Sequence, residues 1–197
     1  AKWSSETSVK DPNNRPRLSS VEPTDLVFFI RDDASLDHSV PIIHTWTESL
    51  MCSVLIILME NGAESEDPRL RQLLNRPGKV QIVWLNQIWP ASAGGVDDFM
   101  RHIVPPGHRS AICFDHVDSE FSQIIASAAR RRAIACIAFP HGEIPYINLL
   151  TSADHIALEP SSRANFDHFD TVLTSSDLYV QKYTPRDSEK YLTMGSS

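Results

Sequence analysis

A histidine, a glycine and a glutamate stand together between two prolines in CIAFPHGEIPYINLL (136–150). Pro140 and Pro145 restrict the backbone on either side of His141, Gly142 and Glu143. Gly142 permits a tight turn or the close approach of a ligand. From Ile144 onward the chain can start a helix, whose first N–H groups are unpaired and favour anions. A histidine held at such a place can act as a general base on a hydroxyl, or donate a hydrogen bond to a phosphate. It can equally be a turn residue bonded to backbone alone. The spacing leaves these readings open.

Other groups capable of chemistry also follow short apolar runs. Arg31, Asp32 and Asp33 follow DLVFFI (25–30), with His38 shortly after. Asn86 and Gln87 follow VQIVWL (80–85), and Asp115 closes SAICFD (110–115) with His116 directly after it. Ser175 and Ser176 follow the apolar start of TVLTS (171–175). Asp32 and Asp33 either cap the loop after them or contact a polyol. Trp89, in NQIWPAS, either packs internally or stacks on a sugar. No His-x-x-x-His or Cys-x-x-Cys spacing occurs, so no metal is expected, and no cofactor is called for. An acid pair after the first strand resembles the metal-binding acids of receiver domains. Those also need an aspartate where Asn86 stands and a lysine where FPHG stands, which sets that reading aside.

These groups need elements to position them, and the chain supplies a regular rhythm. Apolar runs at 25–30, 53–59, 80–85, 110–115, 134–139, 155–159, 171–175 and 191–195 read as strands. Several are apolar at consecutive positions, which suits parallel strands covered on both faces. Between them, residues 39–50, 67–76, 95–104, 119–132 and 179–183 read as helices. Asp67 and Ser119 stand as N-caps, with Pro68 at a first helical position. The alternation predicts an α/β fold: a doubly wound, mostly parallel sheet with helices on both faces, Rossmann-like. In such sheets ligands bind beyond the carboxyl ends of the strands, which is where the groups above fall.

With 197 residues, 42% of them hydrophobic, the length suits one large domain. Residues 1–20 read as a flexible leader and 21–197 as that domain. Three cysteines make no disulfide framework, and Cys113 and Cys136 read as buried thiols. Buried reduced thiols fit a cytoplasmic setting. A formal net charge of -7 argues against nucleic acid as a partner. The cluster ARRR (129–132) suits the end of a helix. It also leaves open peripheral contact with an anionic membrane surface, at the inner face of the membrane.

The segments FPHGEIPYINLL, DHFDTVLTSSDLYVQKY and YLTMGSS resemble the second half of the N-terminal domain of GT-B-type transferases. The nearest resemblance is to bacterial surface-polysaccharide glycosyltransferases and CDP-glycerol glycerophosphotransferases. Non-hydrolysing UDP-N-acetylglucosamine 2-epimerases share the arrangement more distantly. His141-Gly142, Asp167, Asp170, Val172, Tyr179 or Tyr183, and Gly195 take the places of the shared pattern. The glycine-rich loop common after the first strand of such enzymes is replaced here by RDDASLDHS. The resemblance implies two Rossmann-like domains around a cleft. The C-terminal one, expected beyond this chain, would hold the nucleotide-activated donor. The N-terminal one would hold a saccharide acceptor, with His141 as base. Gly142, Glu143, Asp32, Asp33, His38, Asp115, His116, Ser175 and Ser176 would line the acceptor or phosphate side. Two alternatives remain: half of a sugar-nucleotide 2-epimerase, with Glu143 and Asp115 as its carboxylates, or a binding domain without catalysis.

Overall fold

The computed structural model describes residues 21–59, 67–74, 80–89, 94–115, 119–139, 168–174 and 190–193. Among the described residues, seven strands form one sheet: β1 (Leu26–Ile30), β2 (Val54–Leu58), β3 (Val80–Trp84), β4 (Ala111–Phe114), β5 (Ala135–Ala138), β6 (Thr171–Thr174) and β7 (Tyr191–Thr193). Their order is β3-β2-β1-β4-β5-β6-β7, and every pairing is parallel. The helices are α1 (Asp33–Ser49), α2 (Pro68–Leu74), the single turn α3 (Leu85–Ile88), α4 (Val96–Ile103) and α5 (Glu120–Arg131). The fold is the doubly wound, Rossmann-like α/β class that the strand–helix rhythm predicts.

Alternation along the strands divides the core into two layers. Val27, Phe29, Leu55, Ile57, Ile112 and Phe114 face one side, where they meet Phe99, Met100 and Ile103 of α4 and Ile125 and Ala129 of α5. Leu26, Phe28, Ile30, Val54, Ile56 and Leu58 face the other, against Leu36, Val40 and Ile43 of α1 and Leu70 and Leu73 of α2. All five residues of β1 and of β2 are buried, which is why these runs are apolar at consecutive positions. Among the described residues, no helix is long and apolar enough to cross a membrane.

Two boundaries differ from the sequence reading. The first helix begins at Asp33, not at Ser39, so RDDASLDHS is a cap and two helical turns instead of a loop. Pro41 inside this helix cannot donate to the preceding turn, a defect worth roughly 3 kcal/mol in an isolated helix. The Asp32 cap and the burial of Leu36, Val40 and Ile43 outweigh it. The third apolar run ends at Trp84, and Leu85 opens α3. There the Gln87 side chain accepts the Trp84 N–H at 3.2 Å and turns the chain. The expected strand at 155–159 and helix at 179–183 lie outside the described residues, as does the 1–20 leader.

The β5–β6 junction depends on one side chain. Asp170 donates its N–H to the Cys136 carbonyl at 2.9 Å, and its Oδ2 accepts the Cys136 N–H at 2.8 Å. Its carboxylate thus completes the ladder one residue before β6 begins, while Val172, two residues on, is fully buried. Asp170→Ala strands the Cys136 N–H, at a cost of about 1–3 kcal/mol. Asp170→Asn keeps an acceptor and recovers part of it. Urea unfolding of both variants at pH 7 checks the order: wild type, then Asn, then Ala.

Candidate functional site

The strand order reverses at β1. The chain goes from β1 to β2 on one side and later places β4 on the other. Beyond the carboxyl ends of β1 and β4 the two connections part, leaving the crevice where sheets of this kind bind ligands. α1 follows β1 and α5 follows β4, so both helices start from this edge.

Asp32 leaves β1 and caps α1. Its Oδ1 accepts the Ser35 N–H at 2.9 Å, and its Oδ2 accepts the Arg31 Nε–H at 3.0 Å. Burial pushes the carboxyl pKa up, but the Ser35 N–H, the nearby Ser35 hydroxyl and the Arg31 guanidinium outweigh it. The result is about 2, against an ordinary 3.8. Asp32 is therefore a charged cap whose acceptors are already engaged. Asp33 opens α1, and its side chain lies outside the described residues. His38 lies on the exposed side of α1, past the first turn, because the helix starts six residues before Ser39 and carries His38 with it.

Asp115 follows β4 directly and is buried, 4% exposed. Across the crevice, Ser119 caps α5: its Oγ accepts the Ser122 N–H at 3.1 Å and lies 2.7 Å from the Ser122 hydroxyl. Phe139 follows β5. Its N–H donates to the Phe114 carbonyl at 2.8 Å, and its ring packs against Phe28 with centroids 5.6 Å apart. The last described residue before Pro140 is thus locked to β4 and β1. His116, His141, Gly142, Glu143, Ser175 and Ser176 lie outside the described residues. The structure brings Asp32 and Asp115 to the carboxyl edge of adjacent strands, and it sets His38 on the outer side of α1.

Trp89 is used internally. Its indole stacks on Phe99 with centroids 4.6 Å apart and planes 12° apart, and its N–H donates to the Gly94 carbonyl at 3.0 Å. Asn86 and Gln87 are exposed on α3. The arginines closing α5 are engaged as well: Arg131 pairs with Asp97 at 3.3 Å, and Arg132 donates to the Val104 carbonyl at 3.3 Å. Cys113 and Cys136 are buried thiols. Burial, with a smaller push from Asp170, takes Cys136 up to about 12. Among the described residues, no three His, Cys, Asp or Glu side chains come together to hold a metal.

Two residues absent from the sequence reading stand out at this edge. Ser35 and Ser39 are both fully buried; the Ser35 hydroxyl lies beside the Asp32 carboxylate, and the Ser39 hydroxyl has no hydrogen-bond partner among the described residues. Their four-residue spacing marks one flank of a helix, a signal that becomes readable only when α1 starts at Asp33.

The fold and this edge define a doubly wound α/β domain with an acid-bearing crevice at its switch point. No family model matches the sequence, and no curated protein matches it.

The Asp32 cap gives a pH-dependent prediction. A carboxyl whose pKa is lowered on folding stabilises fully above its unfolded value, near 4, and loses that contribution as pH falls toward 2. Asp32→Ala lowers stability at pH 7 by about 1 kcal/mol, and the gap to wild type narrows as pH drops from 4 to 2. Asp32→Asn retains most of the cap at neutral pH. Urea midpoints across that pH range check both statements.

Proposed function

We propose that this chain is the acceptor-side domain of a GT-B-type glycosyltransferase, one that moves a sugar from a nucleotide-activated donor to a cell-surface polysaccharide. The observation that carries the reading is the seven-stranded parallel order with its reversal at β1, where Asp32 and the buried Asp115 stand at the crevice. The resemblance of FPHGEIPYINLL and DHFDTVLTSSDLYVQKY to such transferases supplies the substrate class. Asp170 and Val172, two positions of that pattern, join β5 to β6 and fill the core. They support the shared fold, not the chemistry.

In this reading His141 is the general base. It takes the proton of an acceptor hydroxyl as that oxygen attacks the anomeric carbon. The bond from that carbon to the phosphate oxygen breaks, and the nucleotide leaves with the electron pair. A second Rossmann-like domain holds the donor nucleotide. Glu143, Asp115 and Asp32 serve the acceptor side. Partners are the saccharide acceptor, the activated donor and the inner membrane face.

In the complete enzyme, His141→Ala lowers transfer of labelled sugar by about 100-fold or more, while the unfolding midpoint stays within a few tenths of a kcal/mol of wild type. Activity near wild type overturns the base assignment. A product with an inverted stereocentre on the nucleotide sugar, and no transfer, shows the epimerase reading instead.

A further inference from the structure

All strand pairings are parallel, so the strand starts share one edge, opposite the crevice. The chain returns to that edge at the end of α1, and there it exposes two consecutive apolar side chains. Leu50 is 63% exposed and Met51 81%, the two most exposed large hydrophobic residues among those described. Met51 also has a φ of 53°, the left-handed conformation that follows many helix ends and that glycine adopts at least cost. The backbone of this corner favours glycine, yet a long apolar side chain stands there in water.

Hydrogen bonds tie the rest of this edge into one surface. Ser53, just before β2, donates its N–H and its hydroxyl to Asp25 Oδ2, just before β1, at 2.7 Å each. Ser110, just before β4, donates its hydroxyl to the Thr24 carbonyl at 2.6 Å, and His108 Nε2 lies 3.1 Å from that oxygen. The Gln81 side chain of β3 accepts the Glu22 N–H at 3.0 Å and donates to the Glu22 carbonyl at 3.1 Å. Glu22 is therefore fixed by the start of β3, while Arg109 lies by the start of β4. Both are exposed, and neither side chain has a charged partner among the described residues. They also share a layer. Gln81 pairs in register with Leu55, which faces α4 and α5, and Arg109 lies in the connection from α4 to β4. Leu50 and Met51 end α1, in the other layer.

We propose that this edge is the contact surface of a two-fold dimer of this chain, with Leu50 and Met51 of both copies at its centre. A two-fold axis normal to the sheet, between β1 and β2, abuts the two edges and reverses the strand order of one against the other. β2 then faces β1 of the second copy, and β3 faces its β4. Layers are kept by this rotation, so the two α1 ends meet near the axis. Glu22 of each copy comes opposite Arg109 of the other, once on either side. This charge complementarity selects a second copy as the occupant: acid and base sit at mirrored places on one edge, and the rotation pairs them. The result is an apolar centre with a charge-matched rim. Asp25, nearer the axis, keeps its carboxylate on Ser53. Four facing strands about 4.8 Å apart and three layers about 10 Å apart offer on the order of 600 Å² a side. That is the lower limit of specific interfaces, so the dimer is weak and concentration-dependent. The crevices stay at the two outer ends, and the pairing holds whether or not the chain is a transferase.

Sedimentation equilibrium of this chain at low salt, from about 5 to 500 µM, tests the pairing. The mass rises toward a dimer with a dissociation constant on the order of 100 µM, and added salt weakens it. Glu22→Arg and Arg109→Glu each weaken association by about tenfold or more, because each sets like charges together at two places. The double variant, with the charges exchanged, returns to within about threefold of wild type. Met51→Gly suits the positive φ, so its urea midpoint equals or exceeds that of wild type, while its association falls by about tenfold or more. Three outcomes overturn the proposal. A monomer throughout the range removes the dimer. A dimer indifferent to Met51→Gly has its contact elsewhere. A double charge variant no better than the single ones removes the Glu22–Arg109 pairing, and with it this axis.

Discussion

β1 is buried on both faces along its whole length, and the rest of the domain is arranged to cover it. Phe28 points to one layer, where it meets Trp46 of α1 and Phe139. Phe29 points to the other, stacked on Phe114 and edge-on to Phe121, with Phe99 further out. Burying one such ring is worth about 1.5–3 kcal/mol, but a strand has two faces and no single helix covers both. A parallel neighbour also needs a crossover to return the chain, so each new strand brings a helix with it. Placing β2 and β4 on either side of β1 sends those crossovers to opposite faces. Three layers follow, and so does a crevice where the crossovers part.

The crevice is therefore a consequence of packing before it is a site. Its polar residues answer local demands as well. Asp32 ends β1, caps α1 and neutralises Arg31 with one carboxylate. Ser119 does the capping for α5. Asp115 is a buried acid one residue beyond a strand of apolar residues. Fold mechanics do not account for the buried Ser39 hydroxyl. An alanine there would leave no polar group to satisfy.

Much of the architecture was legible because two-sided burial leaves a strong mark on composition. DLVFFI and SVLIILM read as strands because consecutive apolar residues suit a strand covered on both faces. Ser119 read correctly as a cap because serine before a helical run has one dominant use. The start of α1 was misplaced because Pro41 and the polar run RDDASLDHS look like a loop. Two aspartates, a serine and a histidine conceal Leu36 as the first core contact. Trp89 was ambiguous for a different reason. A tryptophan after a strand packs or binds according to what lies across from it, and Phe99, which decides it, comes ten residues later in the chain.

The sequence by itself determined the class of the fold and, among the described residues, the runs that become strands and the place of Asp32 and Asp115 after β1 and β4. These depend on local patterns of burial and on chain direction, which one segment at a time reveals. The tertiary structure alone decided which strands are neighbours, that the order turns at β1, that Asp170 rather than another residue completes the β5–β6 ladder, and that Asp32 is a cap already saturated by Ser35 and Arg31. It also decided that two serines a turn apart lie fully buried on one flank of α1. Each of these depends on residues far apart in the chain meeting across the sheet, a distance that no local pattern encodes.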